Sequence, residues 1–332
     1  MPLRYFFALS KSEDSMVRLV LAATLAGAFT LSASSAWAQF PQKNIEFLIP
    51  FGPGGGFDRT VRLVSPFLEK ALPKRVEVLP KNVPGAGGRR ALGALFRAKP
   101  DGHQIAIMNS PGAAIPVLLG EKVEYDLAKF AWVAKIGSED YMVGVSAKSS
   151  IRSIDDLKKL GRPLKVPTTG FGSTAQAAGA VFGEAFGLQI EHIAGYKGTN
   201  DYIVGIVRGD GDIAVAPVAT FKQFVESGAI RPLMTFEQKS SMKGIRTVAE
   251  LGHPALSGLA VERYVVAPPG TPANIVKILS DALGQAANNP ELKAMAEKTG
   301  EPLDYIPTAN AKAAFDKALA IYEKYRTAIA RK

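Results

Sequence analysis

The sequence predicts an α/β protein of two lobes, each a mixed sheet flanked by helices, with a ligand cleft between them. Three observations carry that expectation. Strand-length apolar runs alternate with helical periodicities almost to the end of the chain, the rhythm of a largely parallel sheet covered on both faces. The rhythm occurs twice, in two stretches of about a hundred residues each, which is ordinary domain size. Three glycine-bearing loops fall where a strand gives way to a helix, the place at which open α/β sheets hold their ligands.

The chain opens with a segment that belongs to neither lobe. Arg18 follows an internal methionine, Met16, and precedes the apolar run Leu19–Leu31. That run is shorter than the roughly 20 residues a membrane-spanning helix needs. Small residues then lead to Ala36-Trp37-Ala38. This A-x-A pattern marks residues 1–38 as an export signal cleaved after Ala38, with Gln39 as the new start. Residues 1–15 fit no signal n-region, which leaves Met1 and Met16 as alternative starts. No membrane span is expected once the signal is removed. Cysteine is absent, which excludes disulfides, thiolate metal ligands, a cysteine nucleophile and a lipid anchor on an N-terminal cysteine. An exported chain with a large core does without disulfides.

The first lobe begins with the apolar run Ile45–Ile49, followed by glycines and a helical pattern at Val61, Val64, Phe67, Leu68 and Leu72. Val76–Leu79 reads as a second strand, Ala91–Ala98 as a helix behind a Gly-rich loop, and Gln104–Met108 as a third strand. Two extended runs, Trp132–Ile136 and Met142–Val145, are placed to cross between lobes. The second lobe repeats the alternation: strand Leu164–Val166, helix Ser173–Phe186, strand Ile190–Ile193, helix Asp201–Arg208, strand Ile213–Ala216, helix Thr220–Ser227 and strand Ile230–Thr235. Val261–Ala267 (VERYVVA) is the return crossing. The helical end, Pro272–Ala287, Pro290–Lys298 and Asn310–Ile329, is expected to pack onto the first lobe. That lobe is then discontinuous, 39–140 plus 260–332, around a second lobe at 141–259.

The formal net charge is +10 and 47% of residues are hydrophobic, enough for a substantial core. Lysine and arginine are spread out, with only short pairs such as Arg89-Arg90 and Lys158-Lys159. Nucleic-acid binding wants basic clusters interleaved with aromatics, so no nucleic-acid partner is expected. A general attraction of anions is the conclusion the charge supports.

The loops sharpen it. In Pro50-Phe51-Gly52-Pro53-Gly54-Gly55-Gly56-Phe57-Asp58 the glycines let backbone approach a ligand, and the following helix aims free N–H groups at the same place. Such helix starts favour carboxylate or phosphate. Asp58 either joins that site or caps the helix, and its residue type favours capping. Gly85, Ala86, Gly87 and Gly88 form a second loop ahead of a helix. Neither loop is a nucleotide motif. Gly56 is followed by Phe57-Asp58 rather than the Lys-Ser/Thr of a P-loop, and position 90, where a dinucleotide fingerprint needs its third glycine, is Arg90. The third loop, Thr168 to Thr174, supplies Gly172, Ser173 and Thr174 from the second lobe, with hydroxyl and N–H groups suited to a carboxylate.

No catalytic constellation stands out. His103, His192 and His253 have no partner at metal-ligand spacing, and neither G-x-S-x-G nor H-E-x-x-H occurs. A bland surface or supporting role is expected for each histidine. No catalytic residue, metal or cofactor is expected, and the protein reads as a non-enzyme.

Several stretches carry a more specific signal in their order and spacing: Phe40-Pro41-Gln42-Lys43, then Ile49-Pro50-Phe51-Gly52-Pro53-Gly54-Gly55-Gly56, Pro84-Gly85-Ala86-Gly87-Gly88 and Lys99-Pro100-Asp101-Gly102. Tyr196-Lys197-Gly198 and Pro268-Pro269-Gly270-Thr271-Pro272 complete the set. In these the chain after residue 38 resembles, along its whole length, the periplasmic substrate-binding proteins of tripartite tricarboxylate transporters, also called the Bug family. The resemblance implies a periplasmic-binding-protein fold of type II kind, with two hinge crossings and lobes that close on the ligand. It implies delivery of a small carboxylate to a membrane permease of two subunits, with the protein itself a monomer. Family ligands are held by backbone groups of two first-lobe loops and by ordered water. Carried over, those loops are Gly54–Asp58 and Gly85–Gly88, faced by Gly172–Thr174 and by Tyr196 and Lys197, with Ser110 near the cleft. The sequence departs from the family pattern at Phe57, where a small hydroxyl residue is usual, and at His103 and Gly195. Phe57 is expected to add an apolar wall or plug beside the carboxylate site and to favour a ligand with an apolar or aromatic body. Two other functions fit an exported binding fold: the ligand-loaded partner of a membrane signalling receptor, and an exported hydrolase of an anionic substrate.

Overall fold

The computed structural model describes residues 40–331, so the export-signal reading lies outside the described residues. Along the chain the first run is β1 (Ile45–Ile49), α1 (Gly56–Ala71), β2 (Val78–Asn82), α2 (Arg89–Phe96), β3 (Gln104–Asn109), α3 (Ser110–Leu118) and β4 (Ala131–Ser146). The second is α4 (Ile154–Lys159), β5 (Leu164–Pro167), α5 (Thr174–Phe186), β6 (Ile190–Ile193), α6 (Thr199–Arg208), β7 (Ala214–Pro217), α7 (Val218–Glu226) and β8 (Ile230–Thr235). The chain ends with β9 (Ala260–Ala267), α8 (Ala273–Asn288), α9 (Pro290–Thr299), β10 (Ile306–Pro307), α10 (Thr308–Lys324) and α11 (Arg326–Ile329).

The first sheet runs β10-β4-β9-β3-β1-β2. β1 is parallel to both β2 and β3, while β9 runs antiparallel to β3 and to β4. A strand covered on both faces has no polar side to alternate with, which is why IEFLI reads as an almost unbroken apolar run. Ile105, Ile107 and Val265 face a core shared with Val61, Val64 and Leu68 of α1 and Leu279 and Leu283 of α8. Ala106, Met108, Tyr264 and Val266 face the other way, against Leu92 and Leu95 of α2 and Phe315 of α10.

The two extended runs expected around residues 132–145 are one continuous 16-residue strand. Its residues Ala131 to Asp140 pair with β9, and Tyr141 to Ser146 pair with β7 and β8. One strand therefore serves two sheets, changing partners between Asp140 and Tyr141. Its first half carries two bulges, where the register shifts between Trp132 and Ala134 and again between Lys135 and Gly137. An extra residue reverses the side to which later side chains point. Lys135 pairs with Tyr264 and Gly137 with Arg263, so they belong to opposite faces.

In the second lobe Met142, Ala214 and Ala216 pack against Tyr202, Ile203 and Ile206 of α6 and Phe221 of α7. The opposite face holds Val143, Val145 and Val215 with Ala178, Val181 and Phe182 of α5. β5 and β6 form a short parallel pair. Helices α8 and α10 return to the first sheet, whereas α11 rests on α5. There Gln176 Nε2 donates to the Ile329 carbonyl at 2.9 Å, and Arg331 pairs with Glu184 at 3.0 Å.

Candidate ligand cleft

The loop after β1 leads into α1 with Gly55 as N-cap, and no side chain caps it. Asp58 is the third helical residue rather than the cap, and it holds the loop from inside. Its Oδ2 accepts the Gly54 N–H at 2.9 Å and its Oδ1 accepts Asn82 Nδ2 at 2.9 Å. Arg62 Nε donates to both oxygens, at 2.9 and 3.0 Å. Asn82 Nδ2 also donates to the Phe51 carbonyl at 2.9 Å. Burial alone would raise the Asp58 pKa, but Arg62, the Gly54 N–H and Asn82 together hold it below its ordinary range. Asp58 is thereby committed to the loop, and the first N–H groups of α1, which have no acceptor within the helix, carry its positive end.

The second loop lies against the first. Gly85, Ala86, Gly87 and Gly88 have successive φ values of 137°, 49°, 64° and 97°, a path only glycine follows without strain. Ala86 is the one non-glycine residue with positive φ among the described residues. Held left-handed, it costs about 1–2 kcal/mol, a strain typical of ligand clamps. A Cβ at Gly88 would stand 3.1 Å from Pro50 Cβ, whereas a Cβ at Gly87 meets nothing within 4 Å. Gly87 faces open space.

Across the cleft Ser173 caps α5, its hydroxyl accepting the Gln176 N–H at 3.3 Å. Thr174 Oγ1 accepts Asn109 Nδ2 at 2.6 Å, which joins the lobes at the end of β3. Ser110, next in the chain, is buried at the start of α3. A Cβ at Gly172 would lie 3.6 Å from both Pro116 Cγ and Glu121 Oε1. Glu121 in turn pairs with Arg89, the residue after the second loop, at 2.5 Å.

The first loop thus touches the second through Pro50 and Phe51, and Thr174 reaches the end of β3 through Asn109, next to Ser110. Tyr196 and Lys197 are used differently. The Tyr196 ring lies along α6, where a Cβ at Gly205 would be 2.7 Å from it, and its hydroxyl donates to Asp210 Oδ2 at 2.8 Å. The Lys197 N–H donates to Asp201 Oδ2 at 2.9 Å. The Tyr196 N–H borders the third loop, reaching the Thr168 carbonyl at 3.4 Å. Phe57, expected as a wall or plug, is turned inward. It is 9% exposed, its ring held between Phe51, centroids 5.0 Å apart, and the Arg263 guanidinium, 5.2 Å from the ring centre. Apolar burial and cation–π attraction both turn it inward.

That guanidinium escaped the sequence reading. Arg263 Nη2 donates to Glu139 Oε2 at 2.7 Å, and Glu139 Oε1 accepts the Ala219 N–H, at the start of α7, at 2.9 Å. The signal was present: two charges, Glu262 and Arg263, inside an otherwise apolar strand-like run.

Elsewhere the chemistry is structural. Among the described residues no group of three His, Cys, Asp or Glu side chains is placed to hold a metal ion. His103 Nε2 accepts the Gln42 N–H at 3.0 Å, and His253 stacks on Phe186. Burial pushes His192 down to about 4. A cavity of about 390 Å³ opens on the second lobe, lined in part by Arg162, Lys165, Glu191 and Asp212, and contains none of the loop residues. No described helix is long and apolar enough to cross a membrane.

Residues 61–315 match the family described as the tripartite tricarboxylate transporter family receptor. A relative from Bordetella bronchiseptica, one of the UPF0065 proteins, is 29% identical over 268 residues, 79% of this chain and 78% of its own. Among solved structures, R. palustris Rpa4515 with adipate is similar with a TM-score of 0.78 and 23% identity. The match covers 88% of this chain and 98% of that one. The periplasmic binding protein BugD is similar with a TM-score of 0.74 and 20% identity, covering 87% of this chain and 97% of that one. These likenesses show the fold to be the two-lobed one of periplasmic binding proteins.

Proposed function

Since the chain belongs to the tripartite tricarboxylate transporter receptor family, we propose that it captures a small organic carboxylate in the periplasm and passes it to a two-subunit membrane permease. It does so as a monomer and without chemical conversion. The observation that carries this reading is the meeting of two glycine loops at the start of α1, with Gly87 facing open space and the start of α5 opposite. Backbone N–H groups are a carboxylate site that needs no side-chain charge, and charge-assisted hydrogen bonds of this kind contribute about 1.5–3 kcal/mol each. The adipate in the R. palustris structure supports the ligand class.

The change of β4 partners between Asp140 and Tyr141 supports dividing the lobes there, as 39–140 plus 260–332 and 141–259. The apolar run Leu19–Leu31 and Ala36-Trp37-Ala38 support export with cleavage after Ala38, which N-terminal sequencing of the exported protein checks.

Native mass spectrometry of freshly purified protein, followed by calorimetry with straight-chain mono- and dicarboxylic acids, tests the function. A bound acid recovered chemically unchanged is expected, and a converted product would point to a hydrolase instead. Gly87→Val should raise Kd about a hundredfold or more by blocking two such hydrogen bonds, with the circular-dichroism spectrum preserved. Retained affinity would remove the second loop from the site.

A further inference from the structure

At the cleft end of the first sheet one face turns from apolar to polar. Ile105 and Ile107 of β3 lie in the core, and the next residue on that face is Asn109. Val265 of β9 lies in the same core, and the next residue on its face is Arg263. Asn109 and Arg263 are register partners, as are Gly137 and Arg263, so all three share one side of the sheet. Glu139 and Tyr141 follow along β4 on that side.

This patch is buried and incompletely paired. Arg263 is 2% exposed, Tyr141 1% and Asn109 8%. Arg263 Nε and Nη1, the Tyr141 hydroxyl and Asn109 Oδ1 have no hydrogen-bond partner in the chain. Leaving buried polar groups unpaired is costly, and native proteins keep such exceptions for a reason. The position of the guanidinium adds a second cost. Nη2 lies 2.9 Å from where a Cβ at Gly56 would stand, in the first turn of α1. A cation packed on the positive end of a 16-residue helix is electrostatically unfavourable unless an anion joins the two. Glu139 supplies one negative charge and divides it between Arg263 Nη2 and the Ala219 N–H, which leaves the other donors of the fork unused. The Asn109–Thr174 contact, at 2.6 Å, ties this floor to the start of α5 across the cleft.

We infer that Arg263 is a specificity residue of the cleft, its guanidinium receiving the second carboxylate of a dicarboxylate whose first is held by the glycine loops. Asn109 and Tyr141 complete the polar floor around it. The inference rests on the carboxylate reading of the cleft, and it sorts ligands by charge number rather than by the apolar body that Phe57 first suggested. Gly137 admits the Pro302 carbonyl beside the arginine, since a Cβ there would lie 2.7 Å from that oxygen and 3.4 Å from Arg263 Cδ.

Calorimetry with adipate and hexanoate, acids of equal chain length that differ by one carboxylate, is the test, within the wider series of straight-chain acids. Wild-type protein should prefer the diacid. Arg263→Lys keeps the charge but loses the fork and should cut diacid affinity about tenfold or more, with monoacid affinity changed less than about twofold. Since removing one member of a buried pair can prevent folding, the double variant Arg263→Met with Glu139→Met is the second arm, with folding checked by circular dichroism. It should abolish the preference for diacids while monoacids still bind. Equal losses for both acids, or an undiminished diacid preference in either variant, would overturn the inference while leaving the carboxylate reading intact. Wild-type protein that binds no acid of the series would overturn both.

Discussion

Two ion clusters sit back to back on the first sheet, centred on neighbouring residues of the same two strands. On one face Lys135 Nζ donates to Glu262 Oε1 at 2.7 Å and to Asp304 Oδ2 at 2.8 Å, and the Tyr264 hydroxyl donates to Glu262 Oε2 at 2.7 Å. On the other, Arg263 gives one nitrogen to Glu139 and keeps two without partners. The second β4 bulge separates them by sending Lys135 and Gly137 to opposite sides. Burial by itself would lower the Lys135 pKa, yet Glu262 and Asp304 outweigh it and the pKa is raised. A cluster that satisfies itself belongs to the framework. One that stops short of doing so is open to a visitor.

The contrast breaks most directly at Lys135. Lys135→Met strands two acidic partners and should cost about 3–5 kcal/mol in urea unfolding, with diacid affinity unchanged. A ligand effect as large as that of Arg263→Lys would erase the distinction between the faces.

Asp140 lies between the clusters and feels both. Burial first, then repulsion from Glu237, raises it to about 6, against the pull of Lys135. A carboxyl whose folded pKa lies above its unfolded value of about 3.9 binds its proton more tightly when folded. Its stabilising contribution is complete below about pH 3.9 and is lost as pH rises through about 6. Asp140→Asn should therefore stabilise the protein at pH 7 by on the order of 1–2 kcal/mol and flatten stability between pH 4 and 6. Denaturant midpoints across that range check it, and a variant less stable at pH 7 would count against the sign.

The smallest effect is expected at Ser173, whose hydroxyl caps α5. Ser173→Ala should cost about 1 kcal/mol in thermal unfolding and shift diacid affinity far less than Gly87→Val. A comparable loss of affinity would make the second-lobe hydroxyl a ligand contact as well as a cap.

The fold and the backbone half of the site were legible because both are written locally. A strand buried on two faces has to be apolar, as Ile45–Ile49 is, and a loop with positive φ at Gly85, Gly87 and Gly88 has to be glycine-rich. The side-chain half was not legible, because Asn109, Glu139 and Arg263 meet only through antiparallel register between distant segments. Gly137 to Asp140 broke the apolar pattern of β4, so one strand read as two. The bulge that decides which face each charge occupies leaves no periodic trace. Phe57 was noticed without its partner, since its ring packs on an arginine about two hundred residues away.

The shared strand also has a mechanical meaning. At about 3.3 Å per residue, β4 is a bar some 50 Å long, with each sheet clamped to one half. At the change of partners, the Tyr141 N–H donates to Leu259 and its carbonyl accepts from Phe236, so the return segment grips the bar there. Rotation of one sheet against the other is then torsion about this point. Groups beside the axis barely travel, and those at the rim sweep widely. Glu139 sits beside the fulcrum, while Arg263 and the glycine loops ride together on the first sheet, Arg263 Nη2 standing 2.9 Å from where a Cβ at Gly56 would be. A ligand held by both rests on a single arm, with the start of α5 on the other.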